Sequence, residues 1–367
     1  MFDLHKLLAP FTTRSHEEEI PPMDGPFQPN DRIEEASLYA SVPGVERILA
    51  AGDWLYFSSA NKVQRRSIKK KSKKSETVFE GSGHITCLAA LGDGNILAGV
   101  QDRGIEIFHG KDKGRTIESV QSRALPSVTG IVADEDGRLF IANASMQHAA
   151  QSWTADLLSH GATGFVGSID GNGGERILAD GLSFAAGLAF GATQRKLLVS
   201  ESWKHRLIGI DLDHDAVQQT ILANLPGYPG QIISDMHGGY WLSLFALRTQ
   251  LVEFILNQTK FRERMIREID PKYWLAPSLR RSDHHMLPMQ QGAVKKLGVV
   301  KPWAPPRSYG LVVKLDHHYR PVASFHSRAN GKRHGVTSLT CTGECLYASS
   351  FGAEEIIGIP CDESGVA

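Results

Sequence analysis

A two-strand pattern recurs six times along the chain and constrains the fold more than any other feature. In each copy a small or polar residue precedes a short apolar strand, a turn follows that is rich in Gly and Asp in most copies, and a second apolar strand ends in small or polar residues. The copies begin at Glu46, Thr86, Thr129, Ala186, Gly230 and Thr337. The first five are about 40–60 residues apart, a length typical of a four-stranded propeller blade. The pattern predicts an all-β fold, a six-bladed β-propeller.

Two stretches lie outside the repeats. Residues 1–40 contain five prolines and an acidic run, which predict an extended N-terminal arm before a propeller over 41–367. Residues 251–306 form a long insertion before the last copy, with a short helix expected over 261–269. Long connections rich in aromatics and Met often cap a ligand pocket. We therefore expect Trp274 and Trp303 to bind substrate, or alternatively only to cover the outer strands.

Composition excludes several classes of protein. The 40 basic and 40 acidic residues balance, which argues against nucleic-acid binding through an overall positive field. The basic run over 65–74 lacks interleaved aromatics and is interpreted as a solvated hairpin. No apolar run is long enough to span a bilayer, and the N-terminus lacks the features of a signal peptide. With four cysteines too sparse for a disulfide scaffold, these features predict a cytoplasmic protein without nucleic-acid or membrane partners.

The first strand of each blade lines the central channel of a propeller. The residue that begins each copy is therefore expected to point into that channel. Among these residues Glu46 is the candidate for acid–base work, unless it forms a salt bridge with Arg47 or another arginine. Thr129, Thr337 and Gln231, which follows the fifth copy's first residue, are candidates for substrate binding.

Two histidines are close in sequence to channel positions. His84 precedes the second of these positions by two residues, and His334 precedes the sixth by three. Neutral imidazole is the usual general base near neutral pH, so both are predicted to be catalytic together with Glu46. The alternative is that they are ordinary surface histidines of a histidine-rich chain.

Four segments in the middle of the chain resemble the strictosidine synthase-like family. They read GLSFAAGLAF at 181–190, LLVSESW at 197–203, NLPGYP at 224–229 and GGYW at 238–241. The resemblance extends from about residue 45 to residue 359. It implies membership of a group of six-bladed propellers that includes gluconolactonases, senescence marker protein and paraoxonases, in agreement with the repeats.

The resemblance also implies where a metal would be held. Calcium-dependent members of the group use one Glu and several Asn or Asp ligands, and these positions fall here on Glu46, Thr129, Ala186 and Gly230. Only Glu46 matches a ligand, whereas Ca²⁺ takes six to eight oxygen atoms. We therefore expect no metal and no other cofactor.

The resemblance favours one activity over another. Paraoxonase-like relatives hydrolyse lactones, and the surviving acid–base residues make a lactone or ester hydrolase the leading hypothesis. The Glu that strictosidine synthase uses for acid–base chemistry falls on Thr337, which cannot transfer protons near neutral pH. Two alternatives stay open: a non-catalytic propeller that binds a small molecule, and a metal-free condensing enzyme or lyase with another acid–base residue.

Overall fold

Six four-stranded antiparallel sheets form a closed ring in the computed structural model, which describes residues 19–69, 74–281, 295–296, 299–300 and 307–361. The first strand of each sheet adjoins the first strands of the sheets before and after it, and the ring closes between the first and sixth sheets. The predicted six-bladed β-propeller is thereby confirmed.

The first three blades follow the chain from the innermost strand to the outermost. Blade 1 comprises Val45–Ala51, Trp54–Ser59, Lys62–Ser67 and Glu76–Glu80. Blade 2 comprises Ile85–Ala90, Ile96–Val100, Gly104–His109 and Thr116–Ile117. Blade 3 comprises Val128–Ala133, Leu139–Asn143, Gly164–Ile169 and Glu175–Leu182.

The last three blades include one interrupted sheet and one sheet built from both ends of the chain. Blade 4 comprises Ala185–Phe190, Lys196–Glu201, Arg206–Asp211 and Gln218–Leu222. Blade 5 comprises Gly227–Ser234, Tyr240–Leu247, Gly310–Leu315 and Pro321–Ser327. Blade 6 comprises Val336–Cys341, Cys345–Ser350, Glu355–Pro360 and, outermost, Ser37–Ser41.

The remaining elements are short. The α-helices are Arg32–Glu35, Trp153–Leu158, Gln250–Leu256 and Thr259–Glu268, and the 3₁₀ turns are Gly25–Phe27, Ala150–Ser152, Ser202–Lys204 and Pro271–Tyr273. Two small hairpins pair Ser119–Val120 with Arg123–Ala124 and Lys295–Lys296 with Val299–Val300. None of the helices in the described part of the chain is long and apolar enough to cross a membrane.

An apolar cluster fills each junction between neighbouring blades. The junction between blades 3 and 4, for example, buries Phe140 and Val166 of one blade against Leu197 and Val199 of the other. Leu198 points to the opposite face and is buried against blade 5. Because both faces of a blade are covered, successive residues of a middle strand are apolar instead of alternating with polar ones.

The N-terminal segment contributes a strand to the propeller. Ser37–Ser41 pairs antiparallel with Glu355–Pro360, so the last four residues of the stretch expected as an arm belong to blade 6. The Arg333 guanidinium donates hydrogen bonds to the carbonyls of Ile33, Glu34 and Ala36 and fixes the approach to this strand. Residues 1–18 lie outside the described residues.

The long insertion interrupts blade 5 between its second and third strands. Its first part folds into helices Gln250–Leu256 and Thr259–Glu268, close to the helix predicted at 261–269. These helices pack with Trp153–Leu158 from blade 3 around a common apolar cluster. The insertion therefore covers one end of the propeller beside blades 3 and 5.

Candidate functional site

A cavity of about 340 Å³ opens at the end of the channel where the first strands begin. Five of the six residues predicted to face the channel line it: Glu46, Thr129, Ala186, Gly230 and Thr337. The sixth, Thr86, is buried, and its hydroxyl has no hydrogen-bond partner in the described structure.

A β-bulge explains why these positions face the axis. In all six blades the register between the first and second strands shifts at the predicted residue. The shift lies between Val45 and Ile48 in blade 1 and between Val128 and Gly130 in blade 3. A bulge leaves a residue unpaired and redirects its side chain. The repeated small or polar residue is thus the bulge residue of each blade.

Close packing at the axis accounts for the glycines beside the bulges. A Cβ atom added to Gly187 would lie well under 3.0 Å from the carbonyl oxygen of Gly230, which real Cβ atoms essentially never do. The first strands of blades 4 and 5 can approach this closely only because Gly187 has no side chain. The first strands of these two blades are therefore in close backbone contact at the axis.

Two of the predicted catalytic residues are in contact, but of the two only Glu46 lines the cavity. His84 Nε2 lies 2.9 Å from Glu46 Oε2, and the two side chains are 20% and 19% exposed. The pair is within ion-pair distance, but the donor is not aligned for a hydrogen bond. The backbone of Glu46 is held firmly, since its carbonyl accepts hydrogen bonds from Thr337 Oγ1 at 2.9 Å and Ser349 Oγ at 3.1 Å.

Arg47 also lines the cavity, although it was considered only as a partner for Glu46. Its Nη1 donates to the carbonyl of Thr337 at 3.1 Å, whereas its buried Nε has no hydrogen-bond partner. The guanidinium forms no ion pair with any residue in the described ranges. Glu46 contacts His84 instead, so the salt bridge with Arg47 that was the alternative to acid–base work is not formed.

His334 lies away from the cavity lining. Its Nε2 donates to the carbonyl of Arg328 at 2.9 Å, so its Nδ1 accepts from the Ser308 hydroxyl at 2.8 Å. The side chain is fully buried, and desolvation lowers its pKa. Both ring nitrogens are engaged, so the prediction of a catalytic base is replaced by a structural role in the wall of the propeller.

The predicted substrate-binding residues separate into two groups. Thr129 and Thr337 line the cavity, and their hydroxyls donate to the carbonyls of Ala185 and Glu46. Gln231 does not line it, because its Oε1 accepts hydrogen bonds from the Ser338 hydroxyl and the Leu339 amide, which joins blade 5 to blade 6.

The two predicted tryptophans do not contribute to the described lining. Trp274 is buried among the helices of the insertion, and its Nε1 donates to the carbonyl of Ile269 at 2.9 Å. Trp303 lies outside the described residues. The insertion reaches the cavity by other residues, namely Pro277, Ser278, Leu279 and Arg280, and Arg307, directly after it, lines the cavity as well.

The aromatic wall of the cavity was missed by the sequence interpretation. It consists of Trp153, Phe184, Phe245 and Phe351, and the Trp153 and Phe245 rings pack edge to face with centroids 5.3 Å apart. Trp153 lies in the 20-residue connection between the second and third strands of blade 3. The unusual length of that connection was the available signal.

The donor set at the family's metal positions does not fit calcium. Among the described side chains at these positions, Glu46 provides the one carboxylate and Thr129 provides one neutral hydroxyl. Ala186 and Gly230 have no side-chain oxygen. Calcium takes six to eight oxygen ligands, several of them normally carboxylates.

The fold and cavity define a six-bladed propeller with a site at one mouth of its channel. The protein-family model described as the SMP-30/Gluconolactonase/LRE-like region matches residues 48–265, which are more than half of the chain. The chain therefore belongs to this family. The match begins two residues after Glu46.

Two curated relatives share about a quarter of their aligned residues with the chain. The adipocyte plasma membrane-associated protein of Salmo salar is 24% identical over 254 residues, which are 63% of this chain and 61% of that protein. The chain thus spans about three fifths of the length of that relative. The STRICTOSIDINE SYNTHASE-LIKE 10 protein of Arabidopsis thaliana is 24% identical over 138 residues, 37% of each chain.

Solved structures show the same fold. A gluconolactonase of Xanthomonas campestris superposes with a TM-score of 0.56 at 12% identity and covers 88% of each chain. The calcium-binding protein regucalcin of Agrobacterium tumefaciens superposes with a TM-score of 0.53 at 11% identity, over 85% of this chain and 84% of that chain.

Proposed function

We propose that the protein hydrolyses lactones or small esters in the channel-mouth cavity, with Glu46 as the general base. The observation that carries the proposal is the position of the Glu46 carboxylate in the cavity, 2.9 Å from His84 Nε2. Membership of the SMP-30/gluconolactonase family and the gluconolactonase among the structural neighbours support a lactonase-type reaction.

The reaction divides into two proton transfers. Glu46 takes a proton from water as the water oxygen bonds to the carbonyl carbon, and the same proton is delivered to the alkoxy oxygen as its bond to that carbon breaks. Proton transfer from a positioned side chain contributes about 10²–10⁴-fold to rate. The Arg47 guanidinium, which lines the same cavity, stabilises the oxyanion of the tetrahedral intermediate.

His84 acts by positioning the carboxylate. Its Nε2 is close to Glu46 Oε2 but misaligned, and such contacts commonly tighten only when substrate is bound. A proton on Nε2 then fixes the orientation of the carboxylate, with Oε1 free to meet the attacking water. The fixed backbone of Glu46 limits the movement to side-chain torsions.

We further propose that this reaction needs no calcium. The support is the donor set, in which Ala186 and Gly230 occupy positions where the resemblance implies Asn or Asp ligands. The same replacements favour a second candidate, a propeller that binds a small molecule without converting it, since loss of ligands is expected when ancestral chemistry is abandoned. A metal-free condensing enzyme is a third candidate, and it requires an acid–base residue other than Thr337.

The test is hydrolysis of a panel of aryl and alkyl lactones and aryl esters, each with chelator and with added Ca²⁺. Turnover that persists in chelator supports the proposal, and turnover that requires Ca²⁺ contradicts its metal-free part. No turnover under either condition favours the binding protein. His84→Gln is expected to lower kcat about 10-fold or more, because misorientation of a catalytic group is costly, whereas His109→Gln on the exposed end of blade 2 leaves it unchanged.

A further inference from the structure

The cavity combines a cation, Arg47, with an apolar wall, and together they can recognise more of a ligand than its reacting carbonyl group. We infer that it binds small carboxylates with an aromatic or alkyl body, whose carboxylate is received by the Arg47 guanidinium. The inference rests on the proposed function in one respect, since hydrolysis of a lactone or ester yields such a carboxylate as product. It narrows the substrates to apolar lactones and esters and away from polyhydroxylated sugar lactones.

Arg47 has the properties of an anion receptor. One of its nitrogens, Nη1, donates to a neutral acceptor, the carbonyl of Thr337, and this bond holds the guanidinium at the junction of blades 1 and 6. Its Nε is buried without a hydrogen-bond partner, and no carboxylate in the described structure pairs with the group. A buried guanidinium nitrogen without a partner is costly, and a bound carboxylate satisfies it with strong charge-assisted hydrogen bonds.

The charge of Arg47 acts on the neighbouring blade 2. Burial raises the pKa of the Cys87 thiol in blade 2 to about 11, and the positive charge of Arg47 opposes this rise. Arg47 belongs to blade 1, donates to blade 6 and acts on blade 2, so its charge reaches both of the blades that adjoin its own. A ligand in the cavity therefore meets this cation among the lining residues.

The other charges of the cavity are engaged. Arg280 pairs with Glu354 at 2.9 Å, and Arg307 donates to the carbonyls of Ala276 and Trp274. Glu46, the one acidic residue in the described part of the lining, contacts His84. Arg47 is thus the cation best placed to select a ligand by charge.

The wall selects the body of the ligand. Four aromatic side chains line the cavity, together with Ala150, Ala186, Pro277 and Leu279. The hydroxyl protons of Thr129, Thr337 and Ser278 are already donated to backbone carbonyls. Among the neutral polar side chains of the described lining, Gln151 and Thr154 remain to bind the several hydroxyls of a sugar acid. A polar group buried without partners loses more affinity than an apolar group of similar size, which disfavours sugar acids here.

The volume sets the size of the ligand. At about 340 Å³ the cavity is at the small end of ligand pockets, which run from about 300 to 1,000 Å³. A single ring with a short acidic side chain suits this space. Phenylacetate has the carboxylate, the apolar ring and the small size that the cavity favours, and it is therefore the probe for the experiment.

The experiment is isothermal titration of the full-length protein at low salt with phenylacetate, phenylacetamide and gluconate. Phenylacetamide keeps the body and removes the charge, whereas gluconate keeps the charge and replaces the body. We expect phenylacetate to bind at least tenfold tighter than either. The inference is overturned if phenylacetate and phenylacetamide bind with equal affinity. It is also overturned if gluconate binds most tightly or if phenylacetate does not bind.

Variants of Arg47 test the assignment of the receptor. Arg47→Gln should weaken phenylacetate at least tenfold and change phenylacetamide by less than twofold, whereas Arg47→Lys should retain a preference for the acid because it retains the charge. Arg264→Gln is the matched control, since Arg264 is exposed and pairs with Glu268 on the insertion. Unchanged phenylacetate binding by a folded Arg47→Gln protein overturns the assignment.

The binding experiment and the hydrolysis assay can fail separately, so failure of the anion site is distinguishable from failure of the proposed hydrolysis. Carboxylate preference without turnover of any lactone or ester upholds the anion site and rejects the enzyme. Turnover without carboxylate preference upholds the enzyme and rejects the anion site.

Discussion

The Ser338 hydroxyl and the Ile48 amide join the last blade to the first, with the amide donating to Ser338 Oγ at 3.0 Å across 290 residues of sequence. The same hydroxyl donates to Gln231 Oε1 at 2.8 Å and thereby links blades 1, 5 and 6. Ser338 is buried, so no water replaces these bonds when they are lost.

Replacing this hydroxyl should destabilise the ring. Ser338→Ala leaves the Ile48 amide without its acceptor, and a buried donor left unsatisfied costs about 1–3 kcal/mol. We expect a loss of this size in the free energy of unfolding, measured by urea titration. Ser159→Ala, at an exposed serine, is the control and should change it by less than about 0.5 kcal/mol. A Ser338→Ala protein as stable as the control would show that the ring closes without this bond.

The close packing of the first strands at the axis leads to a second prediction. Gly187→Ala forces a methyl group against the carbonyl of Gly230 and should cost about 1–3 kcal/mol, as overpacking does. Gly92→Ala is the matched control, because an added Cβ there meets no atom within 4 Å. Thermal unfolding of the two variants distinguishes them, and equal midpoints would contradict the packing at the axis.

Buried histidines make stability depend on pH. Desolvation lowers the pKa of His205 to about 3 and that of His326 to about 4, and it also lowers the pKa of His334. Below about pH 6.5 the unfolded chain binds protons that the folded protein does not, so stability falls as the pH falls.

The expected slope is up to about 1.4 kcal/mol per pH unit for each of His205 and His326 between pH 6.5 and about pH 4.5, and His334 adds to it in the same direction. Urea unfolding at pH 7, 6 and 5 measures it. His205→Asn should reduce the slope, because it removes one of the three groups. Equal stability at pH 7 and pH 5 would refute the burial of neutral histidines.

The two predicted catalytic histidines should behave differently. His334→Gln disrupts the bonds to Ser308 and Arg328 and should lower stability by about 1–3 kcal/mol, with kcat at 15 °C and the pH–rate profile unchanged. His84→Gln should lower kcat with little effect on stability, since its Nε2 has no hydrogen bond to lose. Unfolding curves and rates measured on the same preparations distinguish the structural role of His334 from the positioning role of His84. Loss of turnover by a fully folded His334→Gln protein would show that His334 is a catalytic residue after all.

The repeats were sufficient to predict the blades and their channel residues, because each blade is a local unit with its own turn and its own bulge. Glu46 and Thr337 were found in this way. The strand at Ser37–Ser41 was not, because it pairs with residues more than 300 positions away and has no second strand beside it in sequence.

The cavity wall depends on tertiary contacts that no repeat encodes. Phe351 follows a strand of blade 6, Trp153 lies in a connection of blade 3, and Leu279 comes from the insertion in blade 5. His334 was misjudged for a related reason: proximity in sequence to a channel residue does not show which way a side chain points. Its burial follows from packing against Ser308 and Tyr309 of another blade.

The most direct test of the account is the rate of the Glu46→Gln protein on the best lactone or ester, measured in chelator. Removing the general base while keeping the shape of the side chain should lower kcat about 10²–10⁴-fold and leave KM within about threefold. Unchanged turnover by the folded Glu46→Gln protein would contradict the account, because no other carboxylate among the described residues lines the cavity.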